Sequence, residues 1–249
     1  MKNKNFIIIA HRGESYNAPE NTLASINLAW ERNADAVEID IQLTKDKKIV
    51  VIHDKSTLRT GGKLKRIATS NYNDLINIDV GKYKGTKWKN ERIPLFEDVL
   101  DTIPESKALF VEIKSDEKTI DTLKKLFINK KVKSKQVKFI GFNYQTMYRV
   151  KKVFPKFESY WIIEGKDYKR NASLSSVITR CRKSNLDGID VQEKKFLDEK
   201  IIHQVHNSNL KIYTWTVDDP ARVEQLYFAG IDGITTNRAS WLKQQIIKS

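Results

Sequence analysis

Val37-Glu38-Ile39-Asp40-Ile41 places two carboxylates on alternate positions of a β-branched run. In an extended strand, successive side chains take opposite faces. Glu38 and Asp40 therefore share one face, while Val37, Ile39 and Ile41 share the other. Two carboxylates side by side inside a fold repel each other unless a cation sits between them. The stretch thus reads as a strand with an apolar back and an acidic front. The same form recurs at Val111-Glu112-Ile113-Lys114, with two charges on one face.

Around this strand, short β-branched runs alternate with amphipathic stretches. Strands are expected at 6–10, 36–43, 49–53, 108–113, 137–142, 158–163, 188–191, 211–217 and 233–236. Helices are expected at 22–33, 95–102, 117–129, 144–154, 174–185, 198–209, 221–230 and 239–248. Such alternation implies parallel strands joined by crossover helices. If 36–43 and 49–53 belong to one unit, about eight β/α repeats remain, the count of a (β/α)8 TIM barrel. The first turn, His11-Arg12-Gly13-Glu14, lacks G-x-G-x-x-G, so a dinucleotide-binding sheet is unsupported.

One segment breaks the rhythm. Residues 55–93 show little helical period and carry Gly61-Gly62, Gly81, Gly85 and many lysines. The segment is too long for an ordinary βα loop and reads as an insertion over the strand ends, in the position of a small cap. The expected organisation is one domain, 1–249, with 55–93 inserted after the second β unit.

Composition narrows the classes. Hydrophobic residues make up 40% of the 249, enough for a sizeable core. A single cysteine, Cys181, allows no internal disulfide and no cysteine-rich zinc site. Residues 1–5 look like the start of an export signal, but the apolar run Phe6-Ile7-Ile8-Ile9-Ala10 stops at His11-Arg12, short of an h-region. No run reaches the roughly 20 residues that span a bilayer, so a soluble, cytoplasmic protein is expected. The net charge of +14 comes from lysine runs scattered along the chain, not from one basic tail. It fits a solvated lysine-rich surface or a positive field that attracts phosphate-bearing partners.

Barrel active sites sit at the C-terminal ends of the strands, and there the polar residues are dense. The first strand ends in His11-Arg12-Gly13, the run 49–52 ends in His53-Asp54, and Glu38, Asp40 and Glu112 converge on the same mouth. A barrel interior does not hold bare charge cheaply. Oxygen-only ligands suit a hard divalent ion, Mg2+ or Ca2+. His11 and His53 could supply nitrogen to zinc instead. His203 and His206, three apart on an expected helix, read as surface or packing residues, and Cys181 as a packing residue.

The set His11-Arg12-Gly13, Ala18-Pro19-Glu20-Asn21-Thr22, Val37-Glu38-Ile39-Asp40, His53-Asp54 and Val111-Glu112-Ile113-Lys114 resembles the glycerophosphodiester phosphodiesterases. Arg92–Leu100, Tyr213-Thr214-Trp215-Thr216-Val217 and the run 230–237 extend the resemblance in order over nearly the whole chain. It implies a TIM barrel with a small cap, and a divalent-metal phosphodiesterase releasing an alcohol and sn-glycerol 3-phosphate. It implies His11 and His53 as the acid/base pair and Glu38, Asp40 and Glu112 as metal ligands. Arg12 and Lys114 would contact the phosphate, and Trp215 would pack against the glycerol. Where the family's last strand often ends in Thr-Asp followed by proline, this chain has Thr236-Asn237-Arg238, which leaves Asn237 without an assigned role.

The expected partner is a small-molecule glycerophosphodiester, with no nucleic acid and no stable membrane insertion; a homo-oligomer is allowed. The alternatives are a lysophospholipase D-like or phospholipase D-like phosphodiesterase at a membrane surface, and a non-enzymatic anion-binding barrel. Neither a membrane anchor nor an aromatic-plus-basic platform is evident.

Overall fold

A computed structural model describes residues 6–114, 117–168 and 171–247. Residues 1–5, read above as half an export signal, and Lys248, read above as a helix end, lie outside the described residues. The strands are β1 (Ile7–His11), β2 (Ala36–Leu43), β3 (Ile49–Val51), β4 (Ala108–Ile113), β5 (Val137–Gly141), β6 (Ser159–Ile163), β7 (Gly188–Gln192), β8 (Lys211–Trp215) and β9 (Gly233–Thr236). They run in the order β1-β9-β8-β7-β6-β5-β4-β2-β3, and β1 also pairs with β2. That extra pairing closes a ring of eight parallel strands, a TIM barrel. β3 lies outside the ring, hydrogen-bonded antiparallel to β2 as a hairpin arm. The run 49–53 therefore contributes no stave, as the eight-repeat count requires.

The helices are α1 (Leu23–Glu31), α2 (Leu58–Gly61), α3 (Tyr72–Leu75), α4 (Phe96–Leu100), α5 (Glu117–Lys130), α6 (Tyr144–Val153), α7 (Gly165–Tyr168), α8 (Asn171–Lys183), α9 (Glu199–His206), α10 (Pro220–Phe228) and α11 (Ala239–Ile247). Several start where a side chain takes up an orphan amide, as Thr22 does from Ser25 N, Asn143 from Thr146 N and Asp198 from Ile201 N. Among the described residues, no helix is long and apolar enough to cross a membrane.

Strand alternation builds two apolar layers. The outward set, including Val37, Ile39, Ile41, Val111 and Phe139, packs with helix residues such as Ile26, Leu123 and Val150. Full burial of each such side chain contributes about 1.5–3 kcal/mol. The inward set, Ile9, Phe110, Ile140, Tyr160, Ile162 and Tyr213, fills the barrel, with Phe110 stacked on Tyr160 at 6.1 Å. The interior is therefore a packed plug, into which Lys138 also reaches, 5.8 Å from the Phe110 ring centroid.

The segment 55–93 has its own small core. Ile52, Ile67, Leu75, Ile78, Val80 and Ile93 cluster with Val50 of β3. Its helical pieces, α2, α3 and 3-10 turns at Ile67–Thr69, Lys82–Lys84 and Thr86–Trp88, have three or four residues each. Pieces that short leave no helical period to read.

Cys181 is buried, with Sγ 3.9 Å from the Gly188 carbonyl, and burial pushes its thiol up to about 12. His203 pairs with Glu199 at 3.2 Å and His206 with Asp232 at 2.9 Å. These histidines have different partners, as surface and packing residues do.

Candidate active site

The site begins where β1 ends. After His11 the chain enters left-handed backbone at Arg12 (φ 55°) and Gly13 (φ 82°). A Cβ on Gly13 would meet the Ser25 Oγ at 2.5 Å, so only glycine lets the turn press against α1. The turn leads to Asn21, whose amide donates to Asp40 Oδ2 at 2.8 Å and accepts from Asp40 N at 3.1 Å. The Asn21 side chain thus fixes Asp40 from two sides.

Parallel register puts Glu38 beside His11 and Glu112 beside Asp40. One carboxylate oxygen from each of Glu38, Asp40 and Glu112 lies within 4.8 Å of the other two. All three residues are buried. Burial, then the charges of Asp40 and Glu112, pushes the Glu38 carboxyl well above its ordinary range. Burial, then Asp40, pushes Glu112 up to about 7. Burial also works against Asp40, but the neighbouring Arg12 and Lys114 outweigh it and hold its carboxyl below the usual value. Arg12 Nε lies 3.2 Å from Asp40 Oδ2, and Lys114 Nζ lies 3.2 Å from Asp40 Oδ1 and 2.8 Å from Glu112 Oε1. The Arg12 amide donates to Glu38 Oε2 at 3.0 Å.

This donor set fits a divalent cation. Three hard oxygens face one point, and Asp40 Oδ1 is buried without a hydrogen bond. The elevated carboxyls of Glu38 and Glu112 mark a shortage of positive charge that a hard ion would supply.

Both sequence-expected histidines reach this rim, and each has one nitrogen engaged. His11 Nδ1 lies 2.7 Å from Asn237 Oδ1. The Asn237 amide is oriented by Asp218, which accepts from its Nδ2 at 2.8 Å. His11 Nδ1 is therefore the donor, and Nε2 is left toward Glu38, 3.9 Å away. Burial, then Arg12, holds the His11 pKa below its ordinary value. His53 Nδ1 pairs with Asp54 Oδ1 at 2.7 Å. Gln42 Nε2 holds that loop by donating to the carbonyls of Ile52, His53 and Asp54 at 2.7–3.0 Å.

Arg59 of α2 ties the inserted segment to the rim. Its guanidinium donates to both oxygens of Asp54 and both oxygens of Glu20, at 2.7–3.1 Å. Glu20 in turn accepts from Arg12 at 2.8 Å. The Arg59 hydrogen bonds, then that of His53, hold the Asp54 carboxyl down to about 2.

A cavity of about 230 Å³ opens at this rim. His11, Arg12, Glu38, His53, Glu112, Lys114 and Trp215 line it, and Ile140, Phe142, Ile162, Asp190, Thr216 and Thr235 complete its wall. Asp40, buried beneath, does not line it. The cavity therefore brings together all the sequence-derived candidates but that one, which touches Arg12 and Lys114. Sequence reasoning missed Asn237, Arg59 and Asp190 as site residues. Asp190 was findable by the alternation rule, since Gly188 and Asp190 share the inward face of β7. The roles of Asn237 and Arg59 rest on contacts across 226 and 39 positions and left no local signal.

Residues 11–240 match the glycerophosphoryl diester phosphodiesterase family. The chain is 31% identical over 239 residues to YhdW of Bacillus subtilis (strain 168), covering 92% of this chain and 93% of that protein. It is 29% identical over 241 residues to the glycerophosphodiester phosphodiesterase of Caldanaerobacter subterraneus subsp. tengcongensis, covering 93% of each. A solved structure of an Oleispira antarctica phosphodiesterase in complex with the product sn-glycerol-3-phosphate superposes with a TM-score of 0.87 at 26% identity, over 98% of this chain and 97% of that one.

Proposed function

Since the chain belongs to the glycerophosphoryl diester phosphodiesterase family and is thereby a phosphoric diester hydrolase, we propose that it hydrolyses small, deacylated glycerophosphodiesters to an alcohol and sn-glycerol 3-phosphate, with a divalent ion bound and two histidines moving protons. The observation that carries this reading is the pairing of both imidazoles through Nδ1 beside three carboxylate oxygens within 4.8 Å of one another.

Glu38, Asp40 and Glu112 would hold the ion, Mg2+ or Ca2+. When bound, it would supply positive charge to the phosphoryl oxygens. Arg12 and Lys114 face the same cavity and neutralise the anionic diester, so that a nucleophile can approach. One imidazole removes the proton of the attacking oxygen, from water or from the glycerol 2-hydroxyl. The other protonates the departing alkoxide, otherwise a poor leaving group. Asn237 and Asp54 set which ring nitrogen is available for that transfer.

Beside the cavity, a groove of about 570 Å³ runs from His11 and Arg12 past Tyr83 and Lys84 of the inserted segment. The leaving alcohol would depart there. Residues 55–93 then act as a cap within a single catalytic domain spanning 1–249, and the cytoplasmic location belongs to the same proposal.

The cavity of about 230 Å³ accommodates a glycerol moiety.

The test is release of sn-glycerol 3-phosphate from glycerophosphocholine or glycerophosphoethanolamine by purified protein with Mg2+ or Ca2+. Release that persists after complete chelation, or faster turnover of a lysophospholipid than of its deacylated counterpart, contradicts the proposal.

A further inference from the structure

Apart from Arg12 Nε, which ion-pairs with Asp40 at 3.2 Å, two buried polar atoms of the residues lining the cavity have no hydrogen-bond partner. One is Asp190 Oδ1 on β7 and the other is Trp215 Nε1 on β8. Asp190 is 3% exposed. Both residues line the cavity shared with His11, Arg12 and Lys114. An unpaired buried polar group is costly, and where it lines a cavity a ligand's hydrogen-bonding group can satisfy it. Ile140, Phe142 and Ile162 supply the apolar part of this wall, Thr216 and Thr235 also line it, and Phe142 meets the Trp215 ring edge-on at 5.7 Å. A wall that combines apolar side chains with a few hydrogen-bonding groups suits a short polyol, whose carbons face hydrocarbon and whose hydroxyls need partners.

Charge fixes the orientation. The diester phosphate must lie toward Arg12 and Lys114, and the alcohol part held in the cavity then projects toward the opposite wall. Its hydroxyl nearest the phosphate stays at the charged rim. Its terminal hydroxyl reaches the β7–β8 side. We propose that Asp190, together with the indole N–H of Trp215, recognises the terminal hydroxyl of the alcohol that remains on the phosphate, and so selects glycerol over alcohols that lack it. This inference rests on the phosphodiesterase reading and adds a specificity-determining residue to it.

The chemistry works in either protonation state. A carboxylate accepts from the hydroxyl, and a carboxylic acid donates to it and also accepts. Burial, then the charge of Glu112, raises the Asp190 carboxyl well above its ordinary value. The hydroxyl oxygen can meanwhile accept from Trp215. A site built to hydrogen-bond a hydroxyl discriminates strongly against the analogue lacking it, because its buried groups are then left unpaired.

The experiment compares wild type, Asp190→Leu, Asp190→Asn and Trp215→Phe, each checked for folding by circular dichroism and thermal melting. Binding of sn-glycerol 3-phosphate is measured against inorganic phosphate by calorimetry in the presence of Mg2+. Turnover is measured on glycerophosphocholine and on its 2-hydroxypropyl counterpart, which keeps the hydroxyl next to the phosphate-bearing carbon and lacks the terminal one. Wild type should prefer sn-glycerol 3-phosphate to phosphate, and the full glycerol ester to the deoxy ester by roughly 10–100-fold. Asp190→Leu should erase most of both preferences, Trp215→Phe part of them, and Asp190→Asn should recover most of what leucine loses. Equal losses on both esters, or unchanged discrimination in folded Asp190→Leu, would overturn the proposal. If wild type cleaves neither ester, the phosphodiesterase reading fails. The binding arm then still decides the role of Asp190, and a wild type that binds sn-glycerol 3-phosphate no better than phosphate refutes it.

Discussion

Asn237 Oδ1 lies 2.7 Å from His11 Nδ1 and so joins the residue after the last barrel strand to the end of the first. Asp218 orients the Asn237 amide through its Nδ2 and backbone N, each at 2.8 Å. The imidazole is held in one tautomer, with Nε2 turned to the acidic cluster. A relay of this kind acts through the histidine and does not itself touch the reacting atoms.

Asn237→Ala should therefore lower kcat by roughly 10–100-fold, within the range of an impaired proton-transfer group, with a smaller change in KM. Asn237→Asp should recover part of the rate. It places a carboxylate beside His11, which favours the imidazolium and moves the His11 limb of the pH–rate profile upward. A profile unchanged in both variants would remove Asn237 from the mechanism.

His11→Ala and His53→Ala should each cost about 10²–10⁴-fold in kcat, the usual worth of a positioned acid or base. The double variant should lose much less than the product of the single losses, because the two groups serve one reaction. Less than a tenfold loss in both single variants contradicts the assigned roles.

Arg59 donates to both oxygens of Asp54 and of Glu20, so it links the supports of His53 and Arg12. Arg59→Ala should reduce kcat by on the order of tenfold, because misorientation at a distance is costly to a proton-transfer geometry. Arg59→Lys should not restore it, since an ammonium cannot reproduce two bidentate contacts. Asp54 titrates at about 2 in the folded state, against an ordinary 3.8. Its contribution to stability is thus present above about 3.8 and fades as pH falls toward 2, and Arg59→Ala should shrink that acid-side loss. Acid unfolding of the two proteins measures the difference.

The acidic cluster makes a separate prediction about pH. Glu112 titrates at about 7 when folded, against an ordinary 4.5. Between those values the folded protein keeps a proton that the unfolded chain releases. Metal-free protein should therefore lose stability as pH rises through this window. A divalent ion needs the ionised carboxylates, so its stabilising effect should grow over the same interval. Thermal melts in EDTA, with and without Mg2+ or Ca2+ added in excess, test this. A melting temperature in EDTA that does not fall across the window contradicts it, as does a metal effect independent of pH.

The barrel and the positions of Glu38, Asp40, Glu112, His11 and His53 were legible from the chain alone. Their signal is local: a two-residue period puts paired acids on one strand face, and strand–helix alternation puts strand ends at one rim. The segment 55–93 was legible only as a break in rhythm, because helical turns of three or four residues carry no period.

What the amino-acid order determined by itself is which side chains arrive at the mouth of the barrel, since alternation and element order are written in neighbouring residues. Only the tertiary structure decided how they are held. Closing β1 against β9 brings Asn237 to His11, folding the segment 55–93 back brings Arg59 to Asp54 and Glu20, and adjacent β7 and β8 place Asp190 and Trp215 in one cavity. These are contacts between residues far apart in the chain or on different strands. The physical reason is that hydrogen-bond direction and charge compensation depend on distances in space, and a sequence pattern specifies those only after the ring has closed.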